Sequence, residues 1–166
     1  MLPVDVSRLK RSPGDTARYE AEAVLPPFEA FGESVEFAGP VKAVLDVTNQ
    51  GGLLAAKGEV WGRVVLTCSR CTEKYELDFK LDFGEDYVSG REGAPLEAVV
   101  FDGDTIDIAP EVVKGLLLVL PMKPLCRPDC RGLCASCGAN LNKGECGCRR
   151  EEIDPRLEKL KDLLQD

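Results

Sequence analysis

The chain has 166 residues, 44% apolar and 30% charged, with a formal net charge of −8. That is enough apolar material for the core of one medium domain, or of a domain with a small appendage, and the negative balance argues against a simple nucleic-acid coat. The longest apolar stretch, Gly115 to Met122, is far short of the roughly 20 residues a bilayer-spanning helix needs.

The chain opens with a short apolar alternation, Leu2, Val4 and Val6, that breaks at Ser12-Pro13-Gly14. Asp5, Arg8, Lys10 and Arg11 crowd this start with no apolar run behind them, so no secretory signal is read and the expected location is cytoplasmic. A strand is predicted from Ala17 to Leu25, stopped by Pro26-Pro27. Residues 35–49 read as strand, kink at Gly39-Pro40, then strand, with Val41, Ala43, Leu45 and Val47 on one face. Asn49 to Gly52 is a turn signal. The next strand, Leu53 to Thr67, contains Gly58 and Gly62, which predict a bulge or bend.

Cys68-Ser69-Arg70-Cys71 follows, and after it Tyr75, Leu77, Phe79, Leu81 and Phe83 alternate with charged residues as in a half-buried antiparallel strand. The CxxC therefore sits in a hairpin between two strands. A thioredoxin-type CxxC opens a helix instead, whose N-terminus stabilises the thiolate. A polar loop is predicted from Tyr87 to Pro95, then short strands at 96–101 and 105–108 split by Asp102-Gly103-Asp104. Pro110 and Glu111 suit the first turn of a helix running to Leu120, ended by Pro121 and Pro124. Asp154-Pro155 predicts a last helix with Leu157, Leu160 and Leu164 as its apolar stripe.

Six of the eight cysteines, at 126, 130, 134, 137, 146 and 148, fall within 23 residues among glycine, proline and asparagine, with no hydrophobic period. Together with Cys68 and Cys71 they make four close pairs, the arithmetic of two four-thiolate zinc sites. In a reducing compartment such a pattern favours metal over disulfides. An iron–sulfur cluster, which also uses four thiolates, is the weaker alternative. The pairs can combine in three ways. The preferred grouping is 68/71 with 126/130, stapling the hairpin to the end of the helix, and 134/137 with 146/148, closing a local loop at small entropic cost. A single knuckle of 126/130/134/137 stays open.

The chain has no histidine, which removes Ser-His and Cys-His nucleophile pairs and the usual open catalytic zinc sites. No phosphate-binding glycine loop occurs. The 29 carboxylates read as solvated faces, and no enzyme and no small-molecule substrate are expected.

Charge is uneven: residues 19–111 sum to about −12 and residues 112–150 to about +5. Two bound Zn²⁺ with eight thiolates would bring about −4 by ligand deprotonation. Lys123, Arg127, Arg131, Lys143, Arg149 and Arg150 flank the cysteines and read equally as support for electron-rich thiolates or as contacts to RNA phosphate. Aromatic residues are absent from Leu116 onward, so any such surface would read backbone rather than bases.

CSRC at Cys68 to Cys71, the run IDIAPEVVKGLLLVLPMKPLC from Ile106, the following CRGLCASCGANLN, the CGC of Cys146 to Cys148 and the closing DPRLEKLKDLL together resemble the YceD family, named for large-subunit ribosomal RNA accumulation. The chain departs from the family pattern at Val113-Lys114-Gly115, where an acidic residue is expected. The resemblance implies a small cytoplasmic or organellar protein, without known catalytic activity, accessory to large-subunit assembly. It also implies metal-capable residues near 126 and 130 paired with the CxxC.

The expected architecture is α+β: an antiparallel sheet or partial barrel with one packed helix over 1–121, a cysteine-rich zinc-binding region at 122–150, and a C-terminal helix at 151–166. The expected function is a non-catalytic zinc-bearing accessory protein for large-subunit rRNA, without membrane association. Its acidic sheet would hold a basic ribosomal protein and its cysteine-rich end would face rRNA. The alternative is a thiol redox switch that releases metal on oxidation.

Overall fold

In the computed structural model the described residues are 1–90 and 95–148. The strands are β1 (Pro3–Asp5), β2 (Thr16–Ala23), β3 (Phe28–Ala30), β4 (Glu33–Phe37), β5 (Val41–Asn49), β6 (Leu53–Thr67), β7 (Lys74–Ser89), β8 (Val99–Phe101) and β9 (Thr105–Asp107), and the one α-helix among the described residues is α1 (Ala109–Val119). The predicted helix after Asp154, with Arg149 and Arg150, lies outside the described residues.

β6 is the spine. It pairs with β7 without a break from Leu53↔Val88 to Thr67↔Lys74, and on its other edge with β5 and then β4. The predicted kink at Gly39-Pro40 is where these two neighbours part. From Phe37 to Lys42 is five steps, against three from Val64 to Trp61 opposite; Ala38 N–H still reaches the Arg63 carbonyl at 2.9 Å, so the chain bows away from β6 at residues 39–41. β2 extends the sheet beyond β5 and the β3 hairpin extends it beyond β4. β1 and β9 form a separate two-stranded ladder. Among the described residues the hydrogen-bonded order is open, ending at β2, β3 and β8, so the expected partial barrel is not closed by backbone pairing.

The alternation read from sequence does what it should. In β5 Val41, Ala43, Leu45 and Val47 are buried, and in β7 Phe79, Leu81 and Phe83 are buried. Gly58 makes no bulge, because both ladders of β6 run through it in constant register, whereas Gly62 keeps register with β7 but lies in the break between β5 and β4 on the other edge. Glycine is there for close approach. A Cβ on Gly58 would stand 2.0 Å from the Val44 carbonyl oxygen, and one on Gly62 would stand 3.0 Å from Cζ of Phe79, whose ring covers it from the facing strand.

Three elements differ from expectation. β3 was not predicted: it is three residues long, and its turn places Phe31 and Gly32 both at positive φ, a position where phenylalanine is uncommon. β7 runs on to Ser89, where a loop was expected from Tyr87, and Tyr87 is fully buried. β8 pairs with the end of β7 in parallel, so the sheet is not wholly antiparallel.

α1 lies on β7, with Gly115 facing Leu81 and with Val112 and Leu116 fully buried. Its start is held by Asp107, whose Oδ1 accepts from the Ala109 N–H at 3.1 Å and from the Leu2 N–H at 2.8 Å. That one carboxylate ties the beginning of the chain to the beginning of the helix. The helix ends at Leu120, where the backbone turns extended ahead of Pro121. From there the chain leads directly into the cysteines.

Candidate metal centre

The β6–β7 hairpin carries Cys68 and Cys71 in a tight knuckle. The Thr72 N–H reaches the Cys68 carbonyl at 2.9 Å, the Cys68 N–H reaches the Glu73 carbonyl at 2.9 Å, and Thr72 takes a positive φ of 57° to close the turn. Below it, the segment leaving α1 is docked by the Ser69 N–H on the Pro124 carbonyl at 2.8 Å. Cys126 and Cys130 are thereby brought to the knuckle. Cys68 Sγ stands 3.8 Å from Cys130 Sγ, and Cys71 Sγ stands 3.7 Å from Cys126 Sγ.

The four thiols of this group lie within 4.8 Å of one another, and Cys134, Cys137, Cys146 and Cys148 form a second group that meets the same limit. This is the preferred grouping of the sequence analysis, and the single knuckle of 126/130/134/137 is not formed. All eight cysteines are free thiols. The edge of a tetrahedron with metal–sulfur distances of 2.3 Å is about 3.8 Å. The two Sγ separations in the first group match that edge, so the residues fit one four-coordinate ion. Either group could hold a metal; its identity is not set by these distances.

The two centres differ in setting. Cys68, Cys71 and Cys130 are buried with Tyr75 and Leu125 packed around them, a small apolar cluster apart from the main core. Cys137 and Cys148 are exposed. Burial works against the Cys68 thiolate, but the backbone N–H groups of Cys126, Cys71 and Arg70 outweigh it and bring the thiol down to about 6. The backbone N–H groups of Cys137 and Ser136 do the same for Cys134, also to about 6. Burial and neighbouring thiols push Cys126 up to about 12, and Cys137 and Cys146 push Cys148 up to about 12. Each centre thus presents one ready thiolate beside one that gives up its proton only to a cation.

The segment between the centres is pinned to the knuckle. Arg70 Nη1 donates to the Cys130 carbonyl at 2.9 Å, and its own carbonyl accepts from the Leu133 N–H at 3.1 Å. Gly132, at φ +74°, passes so close that a Cβ there would lie 3.0 Å from that carbonyl oxygen.

The predicted cations fall into three sets. Arg127 donates to Asn142 Oδ1 at 2.7 Å and approaches Asp129 at 3.5 Å, Arg131 approaches Glu145 at 3.9 Å, and Lys143 pairs with Glu73. Lys123 is exposed. Arg149 and Arg150 lie outside the described residues. Sequence reasoning passed over Asn140 and Asn142. Asn142 Nδ2 donates to Cys130 Sγ at 3.3 Å, and two asparagines in a loop between cysteine pairs are the signal that could have marked it. A groove of about 360 Å³ also opens beside Cys68, lined by Phe31, Glu33, Glu36, Lys74 and Met122.

Among the described residues, a mostly antiparallel sheet with one packed helix and two four-cysteine groups at one end defines a candidate metal-binding protein. Residues 56–164 match the family model described as large ribosomal RNA subunit accumulation protein YceD, and the chain belongs to that family. An uncharacterized protein of Mycobacterium bovis is 31% identical over 181 residues, covering 98% of this chain and 81% of the relative. The chloroplastic large ribosomal RNA subunit accumulation protein YCED homolog 1 is 30% identical in Zea mays and 28% in Arabidopsis thaliana. Each of these two alignments covers 69% of this chain and half or less of the plant protein. No solved structure matches. Among the described residues no helix is long and apolar enough to cross a membrane.

Proposed function

We propose that this chain is a non-catalytic, zinc-binding accessory protein that supports accumulation of large-subunit ribosomal RNA and ribosome assembly, acting in the cytoplasm. The observation that carries the metal part is the convergence of eight thiols into two groups of four, with separations suited to a single tetrahedral ion. Zinc is favoured because a cluster spreads its thiolates over several irons, whereas these thiols gather about one point. A centre closed by four sulfurs keeps no position for a reacting water, which argues for a structural ion and against an enzyme. The family description supports the ribosomal part.

For the partner, the balance of about −12 over residues 19–111 favours a basic ribosomal protein on the sheet. The cysteine-rich end then faces rRNA. Arg127, Arg131 and Lys143 already hold acids or amides of their own region, so their first role is to support the centres. Such exposed ion pairs are weak, about 0–1 kcal/mol, and can give way to phosphate. Lys123, Arg149 and Arg150 complete the proposed contact set. UV crosslinking of the tagged protein in cells, with sequencing of attached RNA, tests this. Crosslinks to large-subunit rRNA through residues 123–150 support direct contact, and RNA at background level leaves the protein partner alone.

A second reading has one observation behind it. The exposure of Cys137 and Cys148 suits a centre that oxidises and releases metal. Thiol titration of protein from oxidant-treated cells separates the two: eight free thiols after denaturation favour the structural role.

A further inference from the structure

The loop that separates the two cysteine pairs of the second centre is also the loop that clasps the first. Asn142, between Cys137 and Cys146, turns both ends of its side-chain amide to the first centre. Its Nδ2 donates to Cys130 Sγ at 3.3 Å, while its Oδ1 accepts from the Arg131 N–H at 2.9 Å and from Arg127 Nη2 at 2.7 Å. Arg127 and Arg131 flank the turn that presents Cys126 and Cys130. The next residue, Lys143, pairs with Glu73, two residues beyond Cys71.

The near end of this loop is well tied. Leu141 N–H reaches the Gly132 carbonyl at 2.9 Å, Cys134 N–H reaches the Ala139 carbonyl at 2.8 Å, and Asn140 Oδ1 accepts from both nitrogens of Asn142 at 2.9 Å. The far end is not. Among the described residues the loop's last backbone hydrogen bond is Lys143 N–H to the Asn140 carbonyl, and residues 144–148 make none. Among the described residues that end has one ion pair, the exposed Arg131–Glu145 contact, and Cys146 and Cys148 join it to the second group. Closing the loop through a metal removes its freedom, and Asn142 then has one position to occupy.

We propose that the two centres are coupled through Asn142. Metal at Cys134, Cys137, Cys146 and Cys148 holds the loop in the shape that sets the Asn142 amide against the Cys130 sulfur, and so raises the metal affinity of the buried centre. Asn142 is a positioning residue: four thiolates around a dication leave excess negative charge on sulfur, and an N–H aimed at one of them stabilises the charged ligand. Coupling of binding free energies is reciprocal, so metal at the buried centre raises affinity at the exposed one by the same factor. The exposed centre then acts as the latch. This inference rests on the metal-binding reading above.

The test uses the full chain, titrated with Co²⁺ and then Zn²⁺ against a chromophoric chelator, following the thiolate-to-cobalt absorption of the buried centre. Three variants are compared with wild type: the pair Cys137→Ser and Cys148→Ser, which disables the exposed centre; Asn142→Ala; and all three changes together. Loss of an outer hydrogen bond to a metal ligand typically costs about 10–100-fold in affinity. The expected result is a loss of that order at the buried centre in either variant, and no further loss on combining them. An unchanged buried-centre affinity in the Cys137→Ser, Cys148→Ser protein overturns the coupling, as do losses that multiply. Wild-type protein gives a check independent of variant folding. Chelator removal of the exposed metal should speed release of the buried one about 10-fold or more, and an unchanged rate overturns the proposal. A chain that takes up no metal defeats the metal-binding reading itself, whereas two metals bound independently defeat only the coupling.

Discussion

Cys68 and Cys130 hold their sulfurs 3.8 Å apart although 62 positions separate them in sequence. One belongs to the hairpin of the two longest strands, the other to the segment that leaves α1. A metal between them would join the sheet to the cysteine-rich end by four covalent-strength links. The other ties are a few hydrogen bonds, among them Ser69 N–H to the Pro124 carbonyl and Arg70 to the Cys130 carbonyl, and an apolar cluster at Cys68, Cys71 and Cys130 that meets the main core only through Tyr75.

Metal removal should therefore act regionally. Chelation is expected to abolish hydrogen-exchange protection across 122–148 while the paired β5, β6 and β7 backbone keeps most of its protection. Structural zinc contributes on the order of 10–16 kcal/mol in small zinc-finger peptides, ample to order a loop-rich end of this size. Uniform loss of protection through the sheet would show that the core, too, depends on the ion.

Metal affinity should rise with pH in a particular way. Without metal, Cys68 and Cys134 sit at about 6 and are thiolates at pH 7, while Cys126 and Cys148 sit at about 12 and hold their protons. Binding must release at least one proton per centre between pH 7 and 9, so apparent affinity should rise at least about tenfold per pH unit there. Below pH 6 Cys68 and Cys134 are protonated as well, so each centre releases at least one proton more and affinity should fall at least about 100-fold per unit. Competition titrations across this range give the slope directly, and a flat profile above pH 7 would exclude these thiols as ligands.

Much of this was legible in the residues. The period-two runs of β5 and β7 declared their buried faces, and the cysteine pairs sorted into the two groups that the structure forms. What stayed hidden depended on partners far off in sequence. β3, at three residues, carries too little pattern to be seen, and the short strand foreseen at 96–101 gave no sign that β8 would pair in parallel. Tyr87 reads as the start of a polar loop because Ser89-Gly90 follows, yet the Phe101 ring packs edge-on against it and the strand continues. Gly58 and Gly62 were read as a bulge or bend; the ladder breaks beside Gly62, while Gly58 serves the close approach of β5. Asn142 carried no period at all, since its meaning lies in a sulfur on another turn of chain.

The two β6 glycines should behave differently on substitution. Gly58→Ala drives a methyl to 2.0 Å from a backbone oxygen of β5, which cannot move without breaking the ladder. A loss of about 3 kcal/mol or more is expected. Gly62→Ala meets only the Phe79 ring at 3.0 Å, which can tilt, and should cost about 1 kcal/mol. Denaturant unfolding of both variants measures the difference.

The helix gives a matched pair of leucines. Leu116 is fully buried against the sheet and Leu118, two residues on, is 87% exposed. Leu116→Ala should lose about 2–5 kcal/mol, and Leu118→Ala should stay within about 0.5 kcal/mol of wild type. Similar losses at both positions would mean that the outer face of α1 is covered in solution.

The central claim is that eight cysteines build two closed metal centres. Its most direct test is the metal content of protein purified under reducing conditions without added metal, joined to X-ray absorption at the zinc edge. The account predicts two zinc ions per chain, each with four sulfur neighbours at about 2.3 Å and no nitrogen or oxygen in the first shell. A metal-free chain with disulfides, or zinc bound through fewer than four sulfurs, would contradict it.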